Sequence, residues 1–502
     1  VNAISVARDR SVGGGDLEAA ESSGPGHRIV LWIALAIGLI LRGYRLGGPS
    51  LSYDETFTVL VARLPLEKAW EMLTADGVHP PLFYLIERLM LLFGHNEWVV
   101  RLPSAILGFL TIPLMYALAK RFGGERAGIL AALLIAISPL HLWYSHDARM
   151  YALLAFMAAV VMLLYDRYLE RADMRRSALF ASASAVAYLV HYFALFLPLV
   201  QLIHLALHLK NYARQFRIWV VLQCTAGLPL LGWLVAMYTR NPERYFGIGW
   251  IPTPSLIDLP ETLINLTVGY TQRDTVFHWV TLALSLALIA AAVWSLRRRK
   301  EVQTLIVVWA FVPIVVTFLI SLRRPVYVDR FLILSLPAFV MMITLGLLFI
   351  RGRWGLVAAA CVVAAMAFGS FEIFNAPGQA KEDWRTAAAY LSRANPDEII
   401  ILRYLQIAVP LTYYAPGVVE PVAFEANRSI TPLDKLARGH TGTWLVFWNA
   451  SADAHLVAGN PPFDPAREPD VTISKWIAGE GPPLLEREDF KGVTVFHFTA
   501  DR

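Results

Sequence analysis

Two adjacent carboxylates, Asp54 and Glu55, lie in the run Leu51-Ser52-Tyr53-Asp54-Glu55-Thr56-Phe57, just past the first apolar stretch of the chain. A carboxylate at the rim of an apolar segment is partly desolvated. Desolvation raises its pKa and suits it to take a proton from a hydroxyl as that hydroxyl attacks. Asp54 is therefore the candidate general base, and Glu55 its catalytic neighbour, orienting the attacking group or shaping the field. A solvated loop or a helix N-cap accounts for this motif equally well when it is taken alone.

Three further constellations carry charge where an apolar chain has little reason to. The first is Asp76-Gly77-Val78-His79-Pro80-Pro81, whose prolines set an extended entry into a helix. His79 there is either a helix-start residue or a donor to a phosphate oxygen or to the attacking group. The second is Tyr144-Ser145-His146-Asp147-Ala148-Arg149-Met150-Tyr151, a short polar turn between two apolar segments. Charges at membrane depth cost a few kcal/mol each and are therefore paired or functional. Either Asp147 and Arg149 pair with each other, or Arg149 holds a phosphate while His146 or Asp147 orients a sugar or a metal. The third is Arg323-Arg324-Pro325-Val326-Tyr327-Val328-Asp329-Arg330-Phe331. Three guanidiniums in one short loop suit bidentate capture of a phosphate, with the Tyr327 hydroxyl as a further donor. His204 and His208 stand four apart on one helix, which invites a metal, but no third ligand accompanies them. They read as a pair at the membrane interface.

The elements that must position these residues are apolar helices. The chain has 502 residues, is 57% hydrophobic and only 17% charged, well below the charge of a soluble protein. A spanning helix needs roughly 20 apolar residues. Windows of that kind fall at 29–46, 101–119, 127–143, 150–165, 177–190, 192–209, 217–238, 275–296, 302–322, 329–350 and 354–372. This predicts a polytopic α-helical membrane protein with about eleven transmembrane helices. The stretch 82–93 is too short to cross and is expected to lie along the interface. Basic clusters fill alternate loops: Lys120–Arg126, Arg167–Arg176, Lys210–Arg217, Arg297–Lys300 and Arg351–Arg353. The positive-inside rule puts these loops, and the N-terminal tail, in the cytoplasm. The loops holding Asp54, His79, Arg149 and Arg330 then lie outside. Arg149, Arg240, Arg244, Arg273, Arg323, Arg324 and Arg330 break the charge rule on that face, and an anionic ligand such as a phosphate explains them.

The domains expected are a disordered cytoplasmic tail over 1–28, a membrane domain over 29–375 and an extracytoplasmic soluble α/β domain over 376–502. In the last, Asp383–Ala394 and Leu405–Tyr414 read as helices, and Glu398–Leu402, Thr443–Trp448 and Val493–Phe498 as strands. The net charge of +5 is spread over membrane loops and does not imply nucleic acid. The two cysteines, Cys224 and Cys361, sit in separate apolar segments and do not suit a disulfide framework. No Walker motif and no G-x-G-x-x-G is present, so nucleotide binding has no support.

Taken in order, Tyr53-Asp54-Glu55, His79-Pro80-Pro81-Leu82, Arg101-Leu102-Pro103-Ser104, Ser145-His146-Asp147-Ala148-Arg149-Met150-Tyr151, Arg324-Pro325-Val326-Tyr327-Val328-Asp329-Arg330-Phe331 and Asp383-Trp384-Arg385 resemble the GT-C class of polytopic glycosyltransferases. The likeness is to glycosyltransferase family 39 and the PMT_2-like group, which include protein O-mannosyltransferases and the lipid A aminoarabinose transferase. It covers most of the chain. The resemblance implies a GT-C fold with interfacial helices and a sugar donor carried on polyprenyl phosphate. It also implies transfer to an acceptor hydroxyl on a lipid, a glycan or a protein, at the outer face of a bacterial inner membrane. The catalytic first-loop Asp of the class falls on Asp54. Relatives with Lys where this chain has His79 leave the role of His79 open. Metal dependence varies across the class, so no cofactor is required and a divalent cation, Mg or Mn, stays open. By this reading Arg149, Arg324 and Arg330 hold the donor phosphate. A transporter or flippase of a lipid-linked sugar is the competing reading, but it calls for deep ionisable residues and related halves, which the sequence does not show. A non-catalytic scaffold subunit would not need Asp54, His79 and the arginines together.

Overall fold

The computed structural model describes residues 25–240, 249–271, 275–376, 381–417, 422–423, 433–449 and 471–499. Most of the expected tail, together with Arg244 and Arg273, lies outside the described residues. Helix α1 (Pro25–Gly43) is the first apolar segment. Arg42, near its end, is buried and donates to the carbonyls of Gly38, Ile135 and Ala136 at 3.0–3.2 Å. It thereby caps the end of a neighbouring helix.

Three short helices follow: α2 (Tyr53–Arg63), α3 (Leu66–Asp76) and α4 (Leu82–Met90). Ser52 opens α2 through a capping box, its hydroxyl taking the Glu55 N–H while the Glu55 carboxylate takes the Ser52 N–H. α4, at nine residues, is too short to cross a bilayer. It turns Leu85 and Leu89 outward, and Leu92 and Phe93 beyond it are also exposed.

The next helical run, α5 (Glu97–Ala136), is two arms joined at Gly124, whose φ of 80° lies in the left-handed region. A side chain on Gly128 would meet the Tyr116 carbonyl oxygen at 2.8 Å, twelve residues back. That separation is about 18 Å along a straight helix, so the chain reverses here. The windows 101–119 and 127–143 are these two arms, and the second breaks before Pro139, which opens α6 (Pro139–Ser145). A Cβ on Gly108 would fall 2.1 Å from the Ser145 hydroxyl. The bare backbone of α5 therefore lets α6 deliver the 146–149 turn against α2.

The remaining membrane helices are α7 (Tyr151–Glu170), α8 (Met174–Val190), α9 (Phe196–Leu207), α10 (Leu209–Arg240), α12 (Thr275–Ser295), α13 (Lys300–Ser321), α14 (Leu336–Phe349) and α15 (Gly352–Asn375). α11 (Asp258–Val268) lies between α10 and α12, and a 3-10 turn over Asp329–Ser335 leads into α14. Eight helical stretches among the described residues are long and apolar enough to cross a membrane, the whole of α5 counting as one. The shorter α8 and α9 account for the windows at 177–190 and 192–209. Cys224 and Cys361 are free and exposed. His204 bonds Tyr165 at 2.9 Å and His208 bonds Thr304 at 3.2 Å.

Beyond α15 the C-terminal unit is a five-stranded sheet in the order β2-β1-β3-β5-β4. The strands are β1 (Ile399–Leu402), β2 (Val422–Ala423), β3 (Gly442–Trp448), β4 (Leu484–Phe490) and β5 (Val493–Thr499). β1 runs parallel to β2 and β3, whereas β3, β5 and β4 are antiparallel. Ile400 and Leu402 pack under α16 (Trp384–Leu391) and α17 (Ala408–Tyr414). Ile399 and Ile401 pack under α18 (Leu433–Ala437) and α19 (Val471–Ile477). Helices on both faces explain why β1 reads Ile-Ile-Ile-Leu with no polar alternation. This unit docks on the chain entering α2. Ser50 bonds the Glu382 carbonyl, the Leu51 N–H donates to the Tyr414 hydroxyl at 2.6 Å, and Arg385 pairs with Glu97 at 2.5 Å.

Candidate active site

α2 holds Asp54 at its first turn, and the loop before α14 brings Arg330 to it. The Arg330 guanidinium lies 3.6 Å from the Asp54 carboxylate, an ion pair longer than a hydrogen bond. Both are half open to solvent, at 25% and 37% side-chain exposure. Arg149 reaches the same turn from the other side, its Nη1 donating to the Asp54 carbonyl at 3.3 Å and to the Thr58 hydroxyl at 3.1 Å. The Nε atoms of Arg149 and of Arg330 are buried and have no hydrogen-bond partner. Trp250 covers Arg330 at 5.0 Å, and the Tyr151 ring lies 5.9 Å from its guanidinium. Burial by itself raises the Asp54 pKa, but Arg149 and then Arg330 outweigh it, and the pKa is lowered. This corrects the expectation of a raised pKa, because the neighbouring cations decide the matter rather than the apolar rim.

Glu55 points the opposite way. It is fully buried and paired with Arg101 at 2.7 Å and 2.8 Å and with Lys381 at 2.8 Å. The N–H groups of Ser52 and Ala148 complete its shell, both at 2.9 Å. Burial opposes its charge, yet Arg101 and Lys381 hold its pKa below the carboxylate range. With every lone-pair direction occupied, Glu55 has no free oxygen with which to orient an attacking group, and of the two roles expected of it only shaping the field is left. Arg101 also donates to the carbonyls of Leu46, Pro49 and Ser50, all at 2.9 Å. The pair therefore locks the entry to α2 onto α5.

Asp147 pairs with Lys381 at 2.9 Å instead of with Arg149. His146 donates from Nε2 to the Leu41 carbonyl at 2.9 Å and packs edge-on against Phe374. Burial pushes its pKa down to about 3. This Nε2 contact ties the 146–149 turn to the end of α1. Tyr327 is buried and bonded to Thr262 at 2.7 Å, and Thr262 and Asn265 in turn bond Asp329, both at 2.5 Å. It fixes the approach to Arg330 and has no free donor to offer a phosphate. Arg323 and Arg324 follow the end of α13 with exposed side chains. Of the three arginines in that loop, Arg330 is the one that reaches Asp54.

His79 is buried, 4% exposed, with Nδ1 unpartnered. Burial first, and then the charge of Arg149, keep its pKa well below the usual imidazole value. Among the described residues no trio of His, Cys, Asp or Glu gathers in a way that could hold a metal ion.

Three residues escaped the sequence reading. Lys381 carries no motif, and its role arises only because the C-terminal unit folds back onto α2. It bonds Glu55, Asp147 and the His146 carbonyl at 2.8–3.0 Å. Glu87, on the inner face of α4, is fully buried with both oxygens unpartnered, and burial, then the Glu55 charge, push its pKa up to about 9. A Glu in an otherwise apolar helix face was the available signal. His191, at the end of α8, had none beyond its type.

Residues 78–234 match the family model described as dolichyl-phosphate-mannose-protein mannosyltransferase. No curated protein matches the sequence. Among solved structures, ArnT from Cupriavidus metallidurans in the apo state superposes with a TM-score of 0.62 at 14% identity, over 95% of this chain and 99% of that one. The same ArnT bound to undecaprenyl phosphate gives 0.61 at 15% identity, over 93% and 97%. Oligosaccharyltransferase AglB from Archaeoglobus fulgidus, in complex with an inhibitory peptide and a dolichol-phosphate, gives 0.54 at 13% identity, over 84% and 69%. The chain thus has the GT-C fold, a polytopic helical membrane unit joined to a small C-terminal α/β domain.

Proposed function

We propose that this protein is an integral-membrane, inverting glycosyltransferase that moves a sugar from a polyprenyl-phosphate donor to an acceptor hydroxyl on a lipid, a glycan or a protein. The observation that carries the reading is a half-exposed carboxylate, Asp54, between two guanidiniums whose buried Nε donors have no partner. A phosphate diester supplies the acceptor oxygens those donors lack. Similarity of fold to an ArnT solved with undecaprenyl phosphate agrees with a lipid-phosphate donor. The basic alternate loops favour work on the extracytoplasmic face of a bacterial inner membrane, with the C-terminal domain docked beside the site on the chain entering α2.

In this mechanism the donor phosphate lies against Arg149 and Arg330. Its negative charge offsets the two cations that depress the Asp54 pKa, so donor binding makes Asp54 a stronger base. The acceptor oxygen attacks the anomeric carbon from the face opposite the phosphate. The new carbon–oxygen bond forms as the bond to the phosphate oxygen breaks, and Asp54 takes the hydroxyl proton. The guanidiniums stabilise the charge that grows on the leaving phosphate. A phosphate leaves without help from an acid, so one carboxylate suffices, unlike the two of most glycoside hydrolases.

The test is release of polyprenyl phosphate from labelled donor by the purified protein, with and without an acceptor. Asp54→Asn should lose about 10²–10⁴ of the rate while retaining donor binding. Turnover by that variant within a few fold of wild type would remove Asp54 from the mechanism.

A further inference from the structure

Beside Arg330 a cavity of about 280 Å³ opens between the loop ahead of α4, the turn after α8, and α10. Phe193, Leu234, Met237 and Phe331 give it apolar walls, interrupted by the rings of His79 and His191. These rings stand 5.1 Å apart, and Phe331, next in sequence to Arg330, packs 5.1 Å from the His191 ring. Both histidines are deeply buried, at 4% and 2% exposure.

The protonation of His191 follows from one contact. Its Nδ1 accepts the Phe193 N–H at 3.1 Å, so in the neutral ring the proton sits on Nε2. That Nε2 is buried and unpartnered, as is Nδ1 of His79. The charged and titratable groups facing the pair are Arg149 and Arg330, which act on both rings, and Tyr151, whose ring lies 6.0 Å from His191. Two cations nearby oppose a third charge, and the Phe193 N–H blocks the nitrogen that would have to gain a proton. His191 is therefore an N–H donor fixed in its uncharged form.

Building on the lipid-phosphate reading above, we propose that the His191 Nε2–H donates to an oxygen of the donor phosphate and that the cavity beside it receives the first isoprenoid carbons of the lipid. The cavity is lined mainly by apolar side chains, and the two histidine rings that interrupt them carry unpartnered nitrogens, which matches a phosphate esterified to a hydrocarbon chain. The absence of charge on His191 has a purpose in turnover. The product is a monoester carrying more negative charge than the diester donor, and a third cation would bind it more tightly than the substrate and slow its release.

The experiment uses the full-length protein in nanodiscs, with undecaprenyl phosphate as the probe and butyl phosphate as a tail-less control. His191→Phe should weaken undecaprenyl phosphate binding about tenfold at pH 8, where the monoester phosphate of the probe is fully ionised. His191→Asn, a neutral donor, should recover most of the loss. Leu234→Trp, which fills the cavity, should weaken undecaprenyl phosphate and leave butyl phosphate unchanged. Wild-type affinity in His191→Phe, or a loss that His191→Asn does not recover, would overturn the role of His191. Equal effects of Leu234→Trp on both phosphates would overturn the lipid chamber. Failure of the wild-type protein to bind undecaprenyl phosphate at all would remove the lipid-phosphate reading itself, a result distinct from each of these.

Discussion

Arg330→Gln removes the cation 3.6 Å from Asp54 and leaves the carboxylate in place. Coulomb's law over that distance gives about 1 kcal/mol in water and about 4–5 kcal/mol at an effective dielectric constant of 20. With 37% of Asp54 and 25% of Arg330 exposed, solvent screening holds the value near the lower end. A fair figure is about 1–2 kcal/mol, or roughly one pKa unit. The sign follows directly. Arg330 favours the ionised carboxylate, so its loss raises the Asp54 pKa, and a base that must be ionised then fails at higher pH. The acid limb of kcat/KM should move up by about one pH unit, into a range where the folded protein can be assayed. Above pH 7, where Asp54 is ionised in both proteins, the remaining deficit is the lost phosphate donor, about 10²–10³ in kcat. Steady-state release of polyprenyl phosphate from pH 4 to pH 8 reads both effects. Arg330→Lys keeps the charge and should restore the limb while recovering little of the rate, since it lacks the planar fork. An acid limb that stays put in Arg330→Gln, or that moves equally in Arg330→Lys, would refute the coupling between the two side chains.

Lys381→Met leaves Asp147 buried without its ammonium and Glu55 with Arg101 alone. Destabilisation of about 2–4 kcal/mol is expected, read as a lower melting temperature and faster proteolysis between α15 and α16. Glu87→Gln should stabilise the protein at pH 8 by about 1 kcal/mol or more and do little at pH 4. The pKa of Glu87 is raised to about 9 in the fold, so the unfolded chain gives up its proton first and stability drains away as pH climbs from the ordinary glutamate value toward 9. Melting curves across that range, flatter in the variant, check it. Tyr327→Phe should cost about 1 kcal/mol through the lost Thr262 contact, with donor KM unchanged. A raised KM would return Tyr327 to the phosphate site.

The membrane helices and most of the C-terminal strands were legible because burial writes itself into composition. The strand expected over Glu398–Leu402 is β1, and the ends of β3 and β5 fall within a residue of expectation. β4 was missed because Leu484–Phe490 is a sheet edge with its side chains exposed, and a polar edge strand reads like a loop. The reversal at Gly124 and the break before Pro139 carry Gly and Pro as signals, but length alone did not show that one arm would be cut short. Within the site, residue types were readable and their partners were not. Whether Asp54 or Glu55 faces the reaction depends on which cations arrive beside each. Arg101, Arg330 and Lys381 come from three distant segments. The same holds for Tyr327, whose hydroxyl is consumed by Thr262 on a helix that no motif connects to it.

Lys381 also bears on the order in which the first loop assembles. Its ammonium closes the shell around Glu55 and Asp147, yet it is carried by the chain that precedes the C-terminal sheet. A ribosome delivers α2 early and Lys381 only after α15 has been made. Until the segment carrying the sheet emerges and folds against Ser50 and Leu51, the first loop has its acids without one of the cations that neutralise them. A chain stalled before Lys381 would thus hold its membrane helices around a first loop that lacks this cation, so the loop sets only once the segment after α15 has been made.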